Sequence, residues 1–275
     1  MRAAIAAAGL FLAAVVALGF LVLPIVAIFV HTSPGNLLSQ LSNPVVTDAL
    51  VVSLKTSAIA QFLVIMFGTP TAYLLAARRF TGRSLVITLV ELPLVLPPAV
   101  AGLGLLVAFG RNGLLGSTFE AFGVSIPFTQ TAVTLAVVFV ASPLYLRQAI
   151  AAFEAVDPNM VAASRTLGVG PTRTFFRVML PLARAGLAAG FALALARGLG
   201  EFGATIMFAG SLQGVTQTLP LAIYAEFDRN FDATLAMGAL LIVISAALLL
   251  TLKFSSLWQA SRQSSRSRSG LLSWS

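Results

Sequence analysis

Cysteine is absent from this chain and histidine occurs once, at His31. Those absences exclude disulfide frameworks, thiolate metal sites, Cys/His nucleophile pairs and two-histidine zinc motifs such as HExxH. Most catalytic-metal chemistry goes with them, and no catalytic residue, metal ligand or cofactor is expected. Lysine is nearly as scarce: Lys55 and Lys253 each follow a leucine, so a phosphate-cradling loop ending Gly-Lys-Ser/Thr cannot form. Any use of ATP falls to a separate subunit. Charge of either sign is also thin. Asp, Glu, Lys and Arg make up 9% of the 275 residues and hydrophobic residues 58%, more apolar surface than a water-soluble domain can hide.

What the chain does have is long uncharged runs. Crossing a hydrocarbon core of ~30 Å takes about 20 helical residues, and runs of that length lie at 5–30, 50–77, 86–109, 129–150, 185–208 and 233–254. The first shows no small-residue cleavage site where it ends at Phe29-Val30-His31, so it reads as a retained span. Backbone groups in lipid must be paired internally, which leaves helices or closed barrels, and these runs are too long for barrel strands. The expected fold is all-α, a membrane bundle of six transmembrane helices. Residues 1–254 form the membrane domain, and the Ser/Arg-rich tail at 255–275 is expected to be disordered.

The net charge of +8 points to membrane topology and away from nucleic acid, because the basic residues sit between the apolar runs. With the N-terminus inside, the cytoplasmic connections hold Arg2; Arg78, Arg79 and Arg83; Arg147, Arg165, Arg173, Arg177 and Arg184; and Lys253, Arg262, Arg266 and Arg268. Only Lys55, Arg111 and Arg229 face outward, and Arg197 lies inside the fifth run. The opposite orientation inverts this bias, so both termini are expected in the cytoplasm.

The longest cytoplasmic connection, 154–181, has its own pattern. Asp157-Pro158 supplies an N-cap acceptor and a proline at the first helical position. A short helix then carries Ala162, Ala163, Ser164 and Leu167 to a left-handed stop at Gly168. Gly170-Pro171 turns the chain into a second short helix that ends at Leu180-Pro181. This helix-turn-helix lies at the membrane surface with small residues outward and aromatics inward, suited to a groove on a partner.

The spacing Ala162-Ala163-Ser164, Gly168, Val178, Leu180-Pro181 resembles the EAA signature of binding-protein-dependent ABC importer permeases. In that family the loop forms the coupling helix that sits in a cleft of the ATP-binding subunit. This chain departs from the signature at its first position, where Ala162 replaces Glu, and mildly at Ser164 and Val178. A second block, Arg197-Gly198-Leu199-Gly200-Glu201-Phe202-Gly203-Ala204-Thr205 with Thr218-Leu219-Pro220-Leu221-Ala222-Ile223-Tyr224, resembles molybdate importer permeases. So does Leu92-Pro93-Leu94-Val95-Leu96-Pro97-Pro98 in the third run. The resemblance implies a non-catalytic permease in the cell inner membrane. It implies a second copy of the chain, two cytoplasmic ATP-binding subunits and an extracytoplasmic molybdate-binding protein. The alternatives are sulfate, thiosulfate or tungstate import by the same mechanism and, from another class, an ATP-independent secondary transporter.

The residues themselves mark a pathway or gate. An ionised Glu201 at mid-membrane is costly unless paired, and Arg197 one helical turn earlier places the two on one face as an i, i+4 pair. The pair either moves with gating or pins the fifth span. Gly198, Gly200 and Gly203 let another helix approach closely. Pro93, Pro97 and Pro98 kink or break the third span, and a bent helix there lines the pathway. Thr205, like Ser142 and Ser211, either offers a transient hydrogen bond to a passing oxyanion or bonds its own helix backbone. The spans hold no cluster of Lys or Arg that binds a dianion tightly, as suits a path that releases its cargo each cycle.

Overall fold

A computed structural model describes residues 2–271, with side chains described for 6–251. Among the described residues every regular element is helical. Helices Ala6–His31, Pro44–Ala77, Gln130–Glu154, Pro171–Leu199 and Phe231–Thr251 are long and apolar enough to cross a membrane. The bent pair Arg83–Val95 and Pro98–Phe109, taken as one broken span, makes the sixth.

In chain order the helices are α1 (Arg2–His31), α2 (Pro34–Gln40), α3 (Pro44–Ala77), α4 (Arg83–Val95), α5 (Pro98–Phe109), α6 (Gly116–Ala121) and α7 (Gln130–Glu154). There follow α8 (Pro158–Thr166), α9 (Pro171–Thr174), a wide π turn (Phe175–Met179), α10 (Leu180–Leu199), α11 (Gly203–Ala209), α12 (Leu219–Glu226) and α13 (Phe231–Leu271). Side-chain oxygens set several starts. Ser33 Oγ accepts from the Asn36 amide, Asn43 Oδ1 from Val45 and Thr129 Oγ1 from Ala132, each cap contributing about 1 kcal/mol. The proline at the first position of α2, α3, α5, α8 and α9 loses no hydrogen bond there. The expectation of a tail at 255–275 concerns residues whose side chains lie outside the described set.

Helix α7 is the hub, packed against α3, α4, α10 and α11. Lipid removes most of the hydrophobic drive between helices, so close approach through small residues takes over. A Cβ at Gly186 or Gly198 of α10 would stand 2.4 Å from Ala152 Cβ or 2.8 Å from Val137 Cγ1 of α7. On the α3 side, Gly68 makes room for the Tyr145 ring, whose hydroxyl meets Thr69 Oγ1 at 2.6 Å. Helix α1 takes little part in this core: its apolar stretch buries none of its residues within the chain. Leu10, Phe11 and Phe20 stand more than two-thirds exposed, the surface of a helix that faces lipid.

The two ends of the bundle are fixed by long-range polar contacts. Arg83 pairs with Glu154, and its Nε donates to Leu75 O at 2.6 Å, so the α3–α4 turn and the end of α7 share one end. Arg147 adds a 3.6 Å contact to Glu91. Asp48, at the start of α3, accepts from Gln213 Nε2 at 3.1 Å. At 1.5 Å per residue, α3 separates Asp48 from Ala77 by roughly 44 Å. The loop after α11 therefore lies at the opposite end from α8 and α9.

Candidate functional site

Two of the apolar runs are interrupted in the structure, the third as its prolines lead one to expect, and their second halves pack together. In the third span the chain turns by 114° between α4 and α5. Pro97 and Pro98 cause it: Pro98 opens α5 with no amide to donate, and Leu96 is driven to an extended conformation. Pro93, by contrast, is carried inside α4 without a break.

The fifth span breaks with no proline. Expected as one helix over 185–208 with Arg197 and Glu201 on one face, it ends as α10 at Leu199 and resumes as α11 at Gly203. Glycines flank the end of α10 and weaken it. The Glu201 amide turns back to Gly198 O at 3.1 Å. Its carboxylate has two partners: Oε1 accepts from the Ala204 amide at 2.7 Å and Oε2 lies 2.6 Å from Arg197 Nη1. The side chain is 1% exposed, that of Arg197 33%. Glu201 thus caps the N-terminus of α11, where a negative charge is favoured, and neutralises Arg197 in the same place. The pair is a joint between half-helices, and the expectation of a continuous helical face is corrected.

Helix α11 lies on α5. A Cβ at Gly102 would come within 2.5 Å of Ala204 O, and one at Gly203 within 2.6 Å of Pro98 Cβ. So Pro98, Gly203, Arg197, Glu201 and Thr205 do share one region, with Pro97 at its edge, while Pro93 sits a turn away inside α4. Of the glycines expected at close contacts, Gly198 meets α7 and Gly203 meets Pro98, whereas Gly200 meets only the backbone of its own helix. Thr205 is fully buried and its Oγ1 has no partner among the described residues, so it does not make the backbone bond usual for a mid-span threonine. Gln61 of α3, close to Gly198, is also buried, and neither amide atom has a partner among the described residues. A lone amide in a long apolar run was its only signal in the sequence. Beside the joint a cavity of about 590 Å³ opens, walled by Gly200, Phe202, Pro220, Tyr224, Phe227 and Leu241. Phe202 packs on Tyr224 with ring centres 5.3 Å apart.

At the other end, the segment 154–181 starts as expected. Asp157 Oδ1 accepts from the Asn159 amide at 2.9 Å and opens α8. Gly168 stops it with φ of +76°, a conformation that favours glycine. Ala162 and Ala163 are exposed on α8, and Ser164 turns inward to meet the Thr174 hydroxyl at 3.1 Å. The second helix differs from expectation: it does not end at Leu180-Pro181 but runs on into α10. Pro181 has no amide, and its ring crowds the carbonyl four residues back. The helix absorbs this in the wide turn Phe175–Met179, where the Leu180 amide reaches Phe175 O. Val178 lies in that turn, and Leu180 and Pro181 begin the next helix. Phe175 packs inward against Tyr73 and Phe153. Phe176, expected inward with it, is 60% exposed, because the widened turn rotates it off the core face.

The chain is similar to known proteins in sequence and in fold. Residues 65–264 match the model of the family described as binding-protein-dependent transport system inner membrane component. A molybdenum transport system permease protein of Mycobacterium tuberculosis is 41% identical over 240 residues, which cover 87% of this chain and 91% of that protein. A molybdenum transport system permease protein of Escherichia coli K12 is 40% identical over 224 residues, 81% of this chain and 96% of that one. In fold, the chain resembles a subunit of a bacterial alginate ABC transporter crystallised with a periplasmic protein, with TM-score 0.72, 15% identity, and coverage of 92% of this chain and 93% of that chain.

Proposed function

Because the chain belongs to the binding-protein-dependent transport system inner membrane components, we propose that it is the membrane-spanning permease subunit of an ABC importer for molybdate. The observation that carries the substrate is the 41% identity to a molybdenum permease along nearly its whole length. The chain catalyses no bond chemistry in this reading. ATP is hydrolysed in a cytoplasmic partner, in two copies, and an extracytoplasmic protein delivers the oxyanion. A second copy of the chain completes the pathway.

The geometry supports a division of labour. Helix α8, with the small exposed side chains of Ala162 and Ala163 and the turn at Gly168, docks into the ATP-binding subunit. Movement of α8 passes directly into the membrane, since α9, the π turn and α10 form one uninterrupted rod from Pro171 to Leu199. That rod ends at the Arg197–Glu201 joint. Beyond it, α11 and α5 move together, because the contacts at Gly102 and Gly203 leave no slack between them. The pathway opens and closes at Pro97, Pro98, Gly203 and Thr205. The expected orientation, with both termini in the cytoplasm, puts α8 on the side where ATP is found.

The test is labelled molybdate uptake at nanomolar concentration in cells with and without this chain, with ATP depletion and excess sulfate or tungstate as competitors. Uptake that needs the chain and ATP, survives excess sulfate and is blocked by tungstate supports molybdate. Loss of signal to sulfate moves the assignment to a sulfate importer.

A further inference from the structure

A second cavity, of about 430 Å³, lies at the end of the bundle opposite α8, and polar side chains supply most of its lining. Ser211, Gln213 and Gln217 come from the loop after α11, Tyr224 and Glu226 from α12, and Arg229 from the turn before α13. The two cavities share Tyr224 and Ala225, so this one leads towards the joint at Glu201. It holds the space of on the order of a dozen waters.

The loop that supplies three of these side chains is held in shape. Thr216 Oγ1 accepts from the Leu212 amide, and the amides of Val215, Thr216 and Gln217 all converge on Leu212 O. Gln213 is tied to Asp48. Gln217 is 6% exposed; its Nε2 donates to Ser211 Oγ at 3.2 Å, and its Oε1 has no partner among the described residues. Ser211 can donate as well as accept, so the Gln217 carboxamide can turn over and present an N–H at the orphaned end. Among the outward-facing basic residues, Arg111 is neutralised by Glu120 at 2.7 Å. Arg229 has no ion pair among the described residues, although Glu226 lines the same cavity.

We propose that this cavity is an entry station for a tetrahedral oxyanion, held by Arg229, Gln217 and Ser211 and kept from tight retention by Glu226. The inference rests on the oxyanion-import reading and assigns it a place. Arginine supplies the charge and the forked N–H groups that match such an anion. The carboxamide and hydroxyl satisfy further oxygens without adding charge. A single positive charge opposed by one carboxylate gives the weak, reversible binding needed after hand-over from an external protein.

The absence of native cysteine allows a direct test. Gln213→Cys, in the complete transporter in vesicles, places a single thiol on the rim. Its rate of modification by a membrane-impermeant thiol reagent is measured with and without millimolar molybdate, or chloride as control. Molybdate slows modification and chloride does not. Arg229→Gln shifts the protecting concentration up about tenfold, the loss of one charge-assisted hydrogen bond, and Glu226→Gln shifts it down. No protection, or a shift in the same direction for both variants, overturns the station. Protection by sulfate in a transporter that imports sulfate and not molybdate keeps the station and removes the molybdate reading. Normal molybdate import without protection removes the station alone.

Discussion

The segment 157–181 and the segment 197–210 both contain helices that meet an awkward residue, and they resolve it in opposite ways. At Pro181 the missing donor is absorbed by one wide turn and the rod continues. At Gly200, with no proline at all, the helix stops and a buried carboxylate starts the next one. In the proposed mechanism, continuity in the first segment transmits movement, and interruption in the second gives that movement a joint. Proline alone does not set a break: Pro24, Pro70, Pro93 and Pro143 are all carried inside helices. What breaks a span here is a tandem proline or a pair of glycines backed by a charged cap.

The contrast is broken most strongly at the joint. Glu201→Ala leaves the part-exposed Arg197 without its partner and uncaps α11, and loss of the charged hydrogen bonds costs about 2–3 kcal/mol. A large drop in the melting temperature of the detergent-solubilised complex is expected. The double variant Arg197→Gln with Glu201→Gln recovers part of it, as a cycle of the two sites will reveal. Next in size, Gly102→Val drives a side chain into the Ala204 backbone and costs about 1–3 kcal/mol or more. Gly104→Ala, two residues on with open space around it, leaves uptake and stability unchanged. Equal effects from the two would mean that α5 and α11 do not move as a unit.

At the proposed coupling end the effects are smaller in stability and larger in function. Gly168→Leu meets no neighbour, but its positive φ costs a non-glycine residue about 1–2 kcal/mol. The protein remains in the membrane, and uptake is lost while ATP hydrolysis by the partner continues. Ser164→Ala removes one hydroxyl contact to Thr174, worth about 1 kcal/mol, and lowers uptake only modestly.

The same contrast explains what the sequence made legible. The start of α8 at Asp157-Pro158 and its stop at Gly168 depend on cap chemistry written within a few residues. The six spans follow from hydrophobic length, and the tandem Pro97-Pro98 signals its own break. The break at 200–202 depends on a carboxylate that finds an amide three residues ahead and an arginine behind. A helical-spacing rule reads that same pair as evidence for continuity. Pro181 misleads in the other direction, since the helix takes up its missing donor in a π turn and continues where a proline rule reads an end. Tyr224 was visible as part of a block that resembles molybdate importer permeases, but the cavity it shares with Gln217 and Arg229 forms only through tertiary folding.

The most direct test of the account is uptake of labelled molybdate by proteoliposomes that contain this chain, with its ATP-binding subunit and binding protein added or omitted in turn. The account predicts accumulation only when all three are present with ATP on the side of α8. Accumulation by the chain alone, or without ATP, would contradict it.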